Sequence, residues 1–162
     1  MGIEEIRVGI GEYKSSPVPS KIVTIGLGSC VGIALYDSNK KIGGLAHIML
    51  PDSTQFQNNN KPGKFANLAI PLLLKEMESL GANPRYITGK IGGGASMFNF
   101  SEKGLVMDIG NRNVKAVIEA MKRLSIPIKG QDTGGSHGRT MILDVETGKT
   151  YIRAVGQEVK EI

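Results

Sequence analysis

A chain of 162 residues is long enough to bury a sizeable core and suits one domain spanning 1–162. Hydrophobic residues make up 40% and charged residues 22%, which argues against a disordered chain, while 22 glycines are nearly twice the usual share of about 7%. The net charge of +5 has no basic run longer than Lys40–Lys41, and with 5% aromatics and no tryptophan it disfavours nucleic-acid binding and leaves an acidic protein partner open.

One cysteine rules out an internal disulfide and any multi-cysteine zinc site. The opening MGIEEIRV has two acids and no apolar core, unlike a signal peptide. The longest apolar run, 68–74, contains Pro71 and is far too short to span a membrane. A reduced cytoplasm is the expected compartment.

Taken in order, residues 3–10 alternate, with Ile6, Val8 and Ile10 on one side, and predict a first strand. Residues 11–20, with two prolines and three serines, read as a loop. Strand-like segments follow at 22–25, 30–36 and 41–50, the last two joined by the turn chemistry of Asp37–Ser38–Asn39–Lys40. Residues 51–63 are polar and rich in Asn and Gln, an exposed loop able to border a site. A helix is expected over 64–80, stopped by Gly81, with Pro71 either kinking it or marking its true start.

A strand at 86–91 runs into Gly92–Gly93–Gly94, read as a turn because no phosphate-cradling glycine motif surrounds it. The helix at 111–124 carries an apolar stripe of Val114, Val117, Ile118, Met121 and Leu124, with Asn111 as its cap. Strands at 126–131, 139–145 and 151–155 close the chain, the last two joined by a turn at 146–149. About nine strands and two helices without strict alternation predict an α+β (α/β layered) fold: mixed sheets packed on each other, helices outside.

The chemistry concentrates around the lone cysteine. Cys30 follows Gly26–Leu27–Gly28–Ser29, a segment poor for core packing but suited to presenting backbone N–H groups. His47 lies 17 residues on, across the 37–40 turn, so both can reach one edge of a sheet. Thiol, imidazole and exposed amides are the parts needed for acyl transfer through a thioester. The imidazole takes the thiol proton, stabilises the thiolate as imidazolium, then protonates the departing ammonia; the backbone N–H groups hold the oxyanion. The plainer alternatives are a small buried thiol and a satisfied core histidine. His137, in a glycine-rich turn, is the second candidate base. A His47–His137 metal pair has no ligand spacing behind it, so no metal or cofactor is expected.

These residues resemble the CheD family of chemoreceptor glutamine deamidases. The resemblance is carried by Thr24–Ile25–Gly26–Leu27–Gly28–Ser29–Cys30, by Gly44–Leu45–Ala46–His47–Ile48–Met49–Leu50–Pro51, and by Gly92–Gly93–Gly94–Ala95–Ser96–Met97–Phe98. Ile109–Gly110–Asn111–Arg112–Asn113 and Asp132–Thr133–Gly134–Gly135 with Gly138–Arg139 complete it. The resemblance implies Cys30 as nucleophile, His47 as base and acid, and Thr24 as the residue that orients the imidazole. Gly28, Ser29 and Phe98 are the implied substrate and oxyanion contacts. Met97, Phe98 and Phe100 suit equally an apolar contact for a partner helix or a place in the core.

The implied substrates are glutamine side chains on the helical stalks of methyl-accepting chemoreceptors. The implied partner is CheC, a phosphatase of the response regulator CheY. The implied fold is that of the cytotoxic necrotizing factor deamidase domain. Two other classes stay in view: a non-catalytic module that regulates CheC or receptors, and a hydrolase of receptor methyl esters or transglutaminase-like acyl transferase.

Overall fold

Residues 4–55, 61–96 and 108–162 are described in the computed structural model, where strand-forming sequence dominates. Sheet A has the order β1 (Glu4–Arg7), β3 (Ser20–Leu27), β8 (Arg139–Asp144), β9 (Thr150–Ala154) and β10 (Lys160–Glu161). Sheet B has the order β2 (Tyr13–Pro17), β5 (Ile42–Ile48), β4 (Val31–Asp37), β6 (Ile87–Gly93) and β7 (Ile128–Thr133). Both sheets are mixed, β1–β3 and β6–β7 being parallel and the remaining pairs antiparallel. The helices α1 (Ala66–Ser79) and α2 (Ile109–Arg123) lie against one face of sheet B, and sheet A lies against the other. The expected layered α+β architecture is the one observed.

Two cores result. Val31, Ile33 and Leu35 of β4 point toward the helices and pack with Ile70, Leu73, Met77, Val117 and Met121. The opposite face of sheet B meets Ile22, Leu27, Met141, Leu143 and Ile152 of sheet A. Each fully buried Ile or Leu stabilises the fold by about 1.5–3 kcal/mol, whereas exposed pairs such as Arg7–Glu5 and Lys14–Glu12 are screened by solvent and contribute little. The apolar layers hold the fold. Every residue of β5 is buried because its sheet is covered on both faces. Small residues permit that double cover: a Cβ on Gly44 would lie 2.7 Å from Leu73 on the helix side, and one on Gly32 would lie 2.9 Å from Met141 on the sheet side.

Several local expectations change. The loop at 11–20 contains the edge strand β2, whose Tyr-Lys-Ser-Ser-Pro sequence lacks alternation; Pro17 closes it where no further ladder donor is needed. α1 begins at Ala66 and passes through Pro71, so Pro71 does not mark its start. The cap of α2 is Asp108, whose carboxylate accepts from the Asn111 N–H at 3.2 Å; Asn111 itself sits within the first turn. Gly92 and Gly93 are not a turn but the end of β6, paired with Asp132 and Thr133. The 37–40 turn is as expected, closed by the buried Asp37 carboxylate, which accepts from the N–H groups of Asn39, Lys40 and Asn83. Met97, Phe98 and Phe100, expected as a partner contact or as core, lie outside the described residues.

Candidate active site

The site lies where the layer between the sheets opens at the end of β3. A bulge between Thr24 and Leu27, with Gly26 at φ 81°, turns the chain out of sheet A toward β4. The linking residues are anchored by their carbonyls. Gly28 C=O accepts from the Ala95 N–H (2.8 Å), Ser29 C=O from the Asn113 side-chain amide (3.0 Å), and Cys30 C=O from the Gly94 N–H (2.8 Å). Three consecutive carbonyls are thereby held by groups outside the loop. The Gly28 N–H closes onto Gly26 C=O at 3.1 Å, while the N–H groups of Ser29 and Cys30 meet no backbone acceptor among the described residues.

Cys30 immediately precedes β4, is half-buried, and packs against the core between the sheets. In the β4–β5 ladder Gly32 faces His47, so Cys30 and His47 are diagonal neighbours across the pair. Regular antiparallel pairing puts such residues about 7 Å apart, within reach of an imidazole. His47 is fully buried, and the 11–12 turn fixes its backbone: His47 N–H donates to Glu12 C=O (3.1 Å) and His47 C=O accepts from the Gly11 N–H (2.8 Å).

Thr24, on β3, is buried and its Oγ1 lies 2.7 Å from both the Val8 carbonyl oxygen and His47 Nδ1. The hydroxyl has one proton. A carbonyl can only accept, so Thr24 donates to Val8 and must accept from His47. That places the imidazole proton on Nδ1 and leaves a lone pair on Nε2. Nε2 is itself buried and has no hydrogen-bond partner among the described residues. A bare basic nitrogen in that layer can take a proton from a thiol or from water.

Burial sets the resting charges. It lowers the His47 pKa from 6.5 to about 4 and pushes the Cys30 thiol above its ordinary value, its own backbone N–H pulling slightly the other way. Both shifts favour the uncharged form of the group.

Of the residues singled out in the sequence, Thr24 and His47 are in contact, Cys30 shares their layer, and Gly28 and Ser29 form its approach. Phe98 lies outside the described residues. His137 is exposed in the loop between β7 and β8 and makes no hydrogen bond to the described residues. No cluster of three or more His, Cys, Asp or Glu able to hold a metal ion occurs among the described residues. Two contributors carry no sequence signal of their own: the Val8 carbonyl, which any residue supplies, and Asn113, whose buried amide bonds Ser29 C=O and Met49 C=O (3.0 and 3.1 Å).

Comparison with known proteins follows the same direction. The crystal structure of the Bacillus licheniformis hypothetical protein YfiH aligns with a TM-score of 0.42 at 16% identity, covering 76% of this chain and 50% of that one, a level that carries no argument. A protein of Clostridium botulinum strain Hall named "Probable chemoreceptor glutamine deamidase CheD" is 61% identical over 162 residues, covering 100% of both chains. One of the same name from Clostridium kluyveri is 59% identical over the same span. The family model for CheD chemotactic sensory transduction matches residues 49–154. With two thirds of its length in that model and full-length relatives at this identity, the chain belongs to the CheD family.

Proposed function

We propose that this chain, acting as one unit over 1–162, is a cysteine-dependent protein-glutamine deamidase whose substrates are glutamine side chains of methyl-accepting chemoreceptors. The single observation that supports the chemistry best is the Thr24-fixed tautomer of His47, which leaves Nε2 unprotonated and unpartnered in the layer it shares with Cys30.

The reaction runs from the neutral pair. Cys30 Sγ attacks the glutamine carboxamide carbon as its proton passes to His47 Nε2, so charge appears only when the S–C bond forms. The new oxyanion lies against the Cys30 and Ser29 N–H groups, and Thr24 Oγ1 holds the imidazolium at Nδ1. His47 then gives its proton to the departing nitrogen. The C–N bond breaks, ammonia leaves, and an acyl thioester remains on Cys30. Water gives a proton to the same Nε2 and attacks the thioester carbon. Collapse of the second oxyanion expels the thiolate, which takes the proton back, and glutamate is released.

The name printed for the clostridial relatives supports chemoreceptors as the substrate class. Action on the cytoplasmic stalks of receptors puts the reaction in the cytoplasm. The family resemblance extends the proposal to CheC as a regulatory partner that occupies the same face. Incubating a chemoreceptor cytoplasmic fragment with wild-type and Cys30→Ala protein, followed by peptide mass spectrometry, tests the proposal. Glutamine-to-glutamate conversion with release of ammonia is expected from the wild type alone. Conversion by both proteins, or by neither, would refute it.

A further inference from the structure

Asn113 is fully buried in the first half of α2, yet its side chain reaches the site from outside the two sheets. Its Nδ2 donates to the Ser29 carbonyl at 3.0 Å and to the Met49 carbonyl at 3.1 Å. Both partners are carbonyls, which only accept, so the amide orientation is determined: the nitrogen must face them. The consequence is a buried Oδ1 with no donor among the described residues. The amide is thus committed to the two carbonyls through its nitrogen.

The geometry points to a reason. Ser29 and Cys30 share a trans peptide unit, since the cis bond found among the described residues is Val18–Pro19. In a trans peptide the carbonyl and the following N–H point in opposite directions within one plane. By gripping the Ser29 carbonyl, Asn113 turns the Cys30 N–H the other way. That N–H lies beside the Cys30 sulfur and meets no backbone acceptor among the described residues. The second bond ties the same amide to Met49, two residues beyond His47, so one side chain holds the chain next to the nucleophile and the chain next to the base.

We infer that Asn113 is a positioning residue that preforms the oxyanion hole by locking the Ser29–Cys30 peptide with its N–H toward the reacting carbon. It touches neither substrate nor reacting atoms. If the grip is released, that peptide is free to rotate, and a rotated peptide presents a carbonyl oxygen where the oxyanion must form. This rests on the reading of Cys30 as nucleophile.

Two reagents separate oxyanion stabilisation from simple loosening of the site. Iodoacetamide alkylates Cys30 by displacement of iodide and forms no oxyanion. A glutamine-mimicking peptide aldehyde adds Cys30 Sγ to its carbonyl carbon, the thiol proton passing to His47 and then to the new oxygen, so its reversible binding reads the oxyanion donor. The variants are Asn113→Asp, whose carboxylate cannot donate to two carbonyls, and Asn113→Ser, which is shorter but keeps a donor. Both are compared with the wild type by circular dichroism to establish folding. For Asn113→Asp, kcat is expected to fall about 100-fold and aldehyde affinity in parallel, as for loss of an oxyanion donor, with KM and the iodoacetamide rate within about threefold of wild type. Asn113→Ser recovers part of the loss.

Parallel slowing of alkylation and deamidation, an unchanged kcat, or failure of the wild type itself to bind the aldehyde overturns the inference. Aldehyde binding that depends on Asn113 in a protein that leaves chemoreceptor glutamines untouched would instead refute the proposed substrate and leave this inference standing.

Discussion

Replacing Thr24 by valine changes one hydroxyl to a methyl at nearly constant volume. The hydroxyl is buried and sits 2.7 Å from two polar groups, so its loss strands the Val8 carbonyl and the His47 Nδ1–H together. At about 1–3 kcal/mol for each stranded group, the variant should lose roughly 2–6 kcal/mol of stability, against a usual total of about 5–15 kcal/mol. It should remain folded at low temperature. The kinetic effect is separate: nothing then holds the ring proton on Nδ1, and the ring shares its time between the two tautomers. We expect kcat to fall about 10- to 100-fold, short of the roughly 10²–10⁴-fold that a general base contributes in all. Thr24→Ser, which retains the oxygen and its proton, should keep most of both properties. Ammonia-release kinetics and urea unfolding measure the two effects. A valine variant with wild-type kcat, or a serine variant as impaired as valine, would refute the relay through Thr24.

Two pH dependences follow from the burial of His47. Its pKa is about 4 folded against 6.5 unexposed to the protein, so the unfolded chain binds the extra proton first, and stability is lost as pH falls from about 6.5 toward 4. At about 1.4 kcal/mol per pH unit the loss is about 3 kcal/mol, and urea unfolding of His47→Gln should show a correspondingly flatter profile over this window. The rate should behave likewise: kcat/KM for deamidation should stay level from neutral pH down to about 5 and fall only as the imidazole takes up a proton near 4. An inflection near 6.5 would mean that His47 is solvated in the working enzyme.

The proposed nucleophile and base stood out because one cysteine and one strand histidine sit either side of a recognisable turn, and the turn forms through Asp37 as its residue types demand. Their shared layer was not. It depends on Gly32 pairing with His47, and pairing register is decided by which faces the helices and sheet A cover. Neither β2 nor the start of α2 was readable from periodicity. The first is an edge strand without alternation, and the second is capped by Asp108, three residues before the more obvious Asn111. Val8 acts through its main chain, which no side-chain pattern announces. Asn113 lies in a stretch already noted for its resemblance, but its bonds to the chain before β4 and the chain after β5 appear only when the helix is seen to abut both. The direction of the two pKa shifts likewise needed the structure, since burial and not residue type sets it.

The central claim, that glutamine is hydrolysed through a covalent bond to Cys30, is tested most directly by trapping the intermediate. A chemoreceptor fragment mixed with the protein and quenched in acid within the first turnovers should give, on intact-mass analysis, an adduct equal to enzyme plus substrate minus ammonia. Peptide mapping should place that adduct on Cys30, and hydroxylamine should remove it as it removes a thioester. Deamidation that proceeds at the wild-type rate in Cys30→Ala, with no adduct on either protein, would contradict the account.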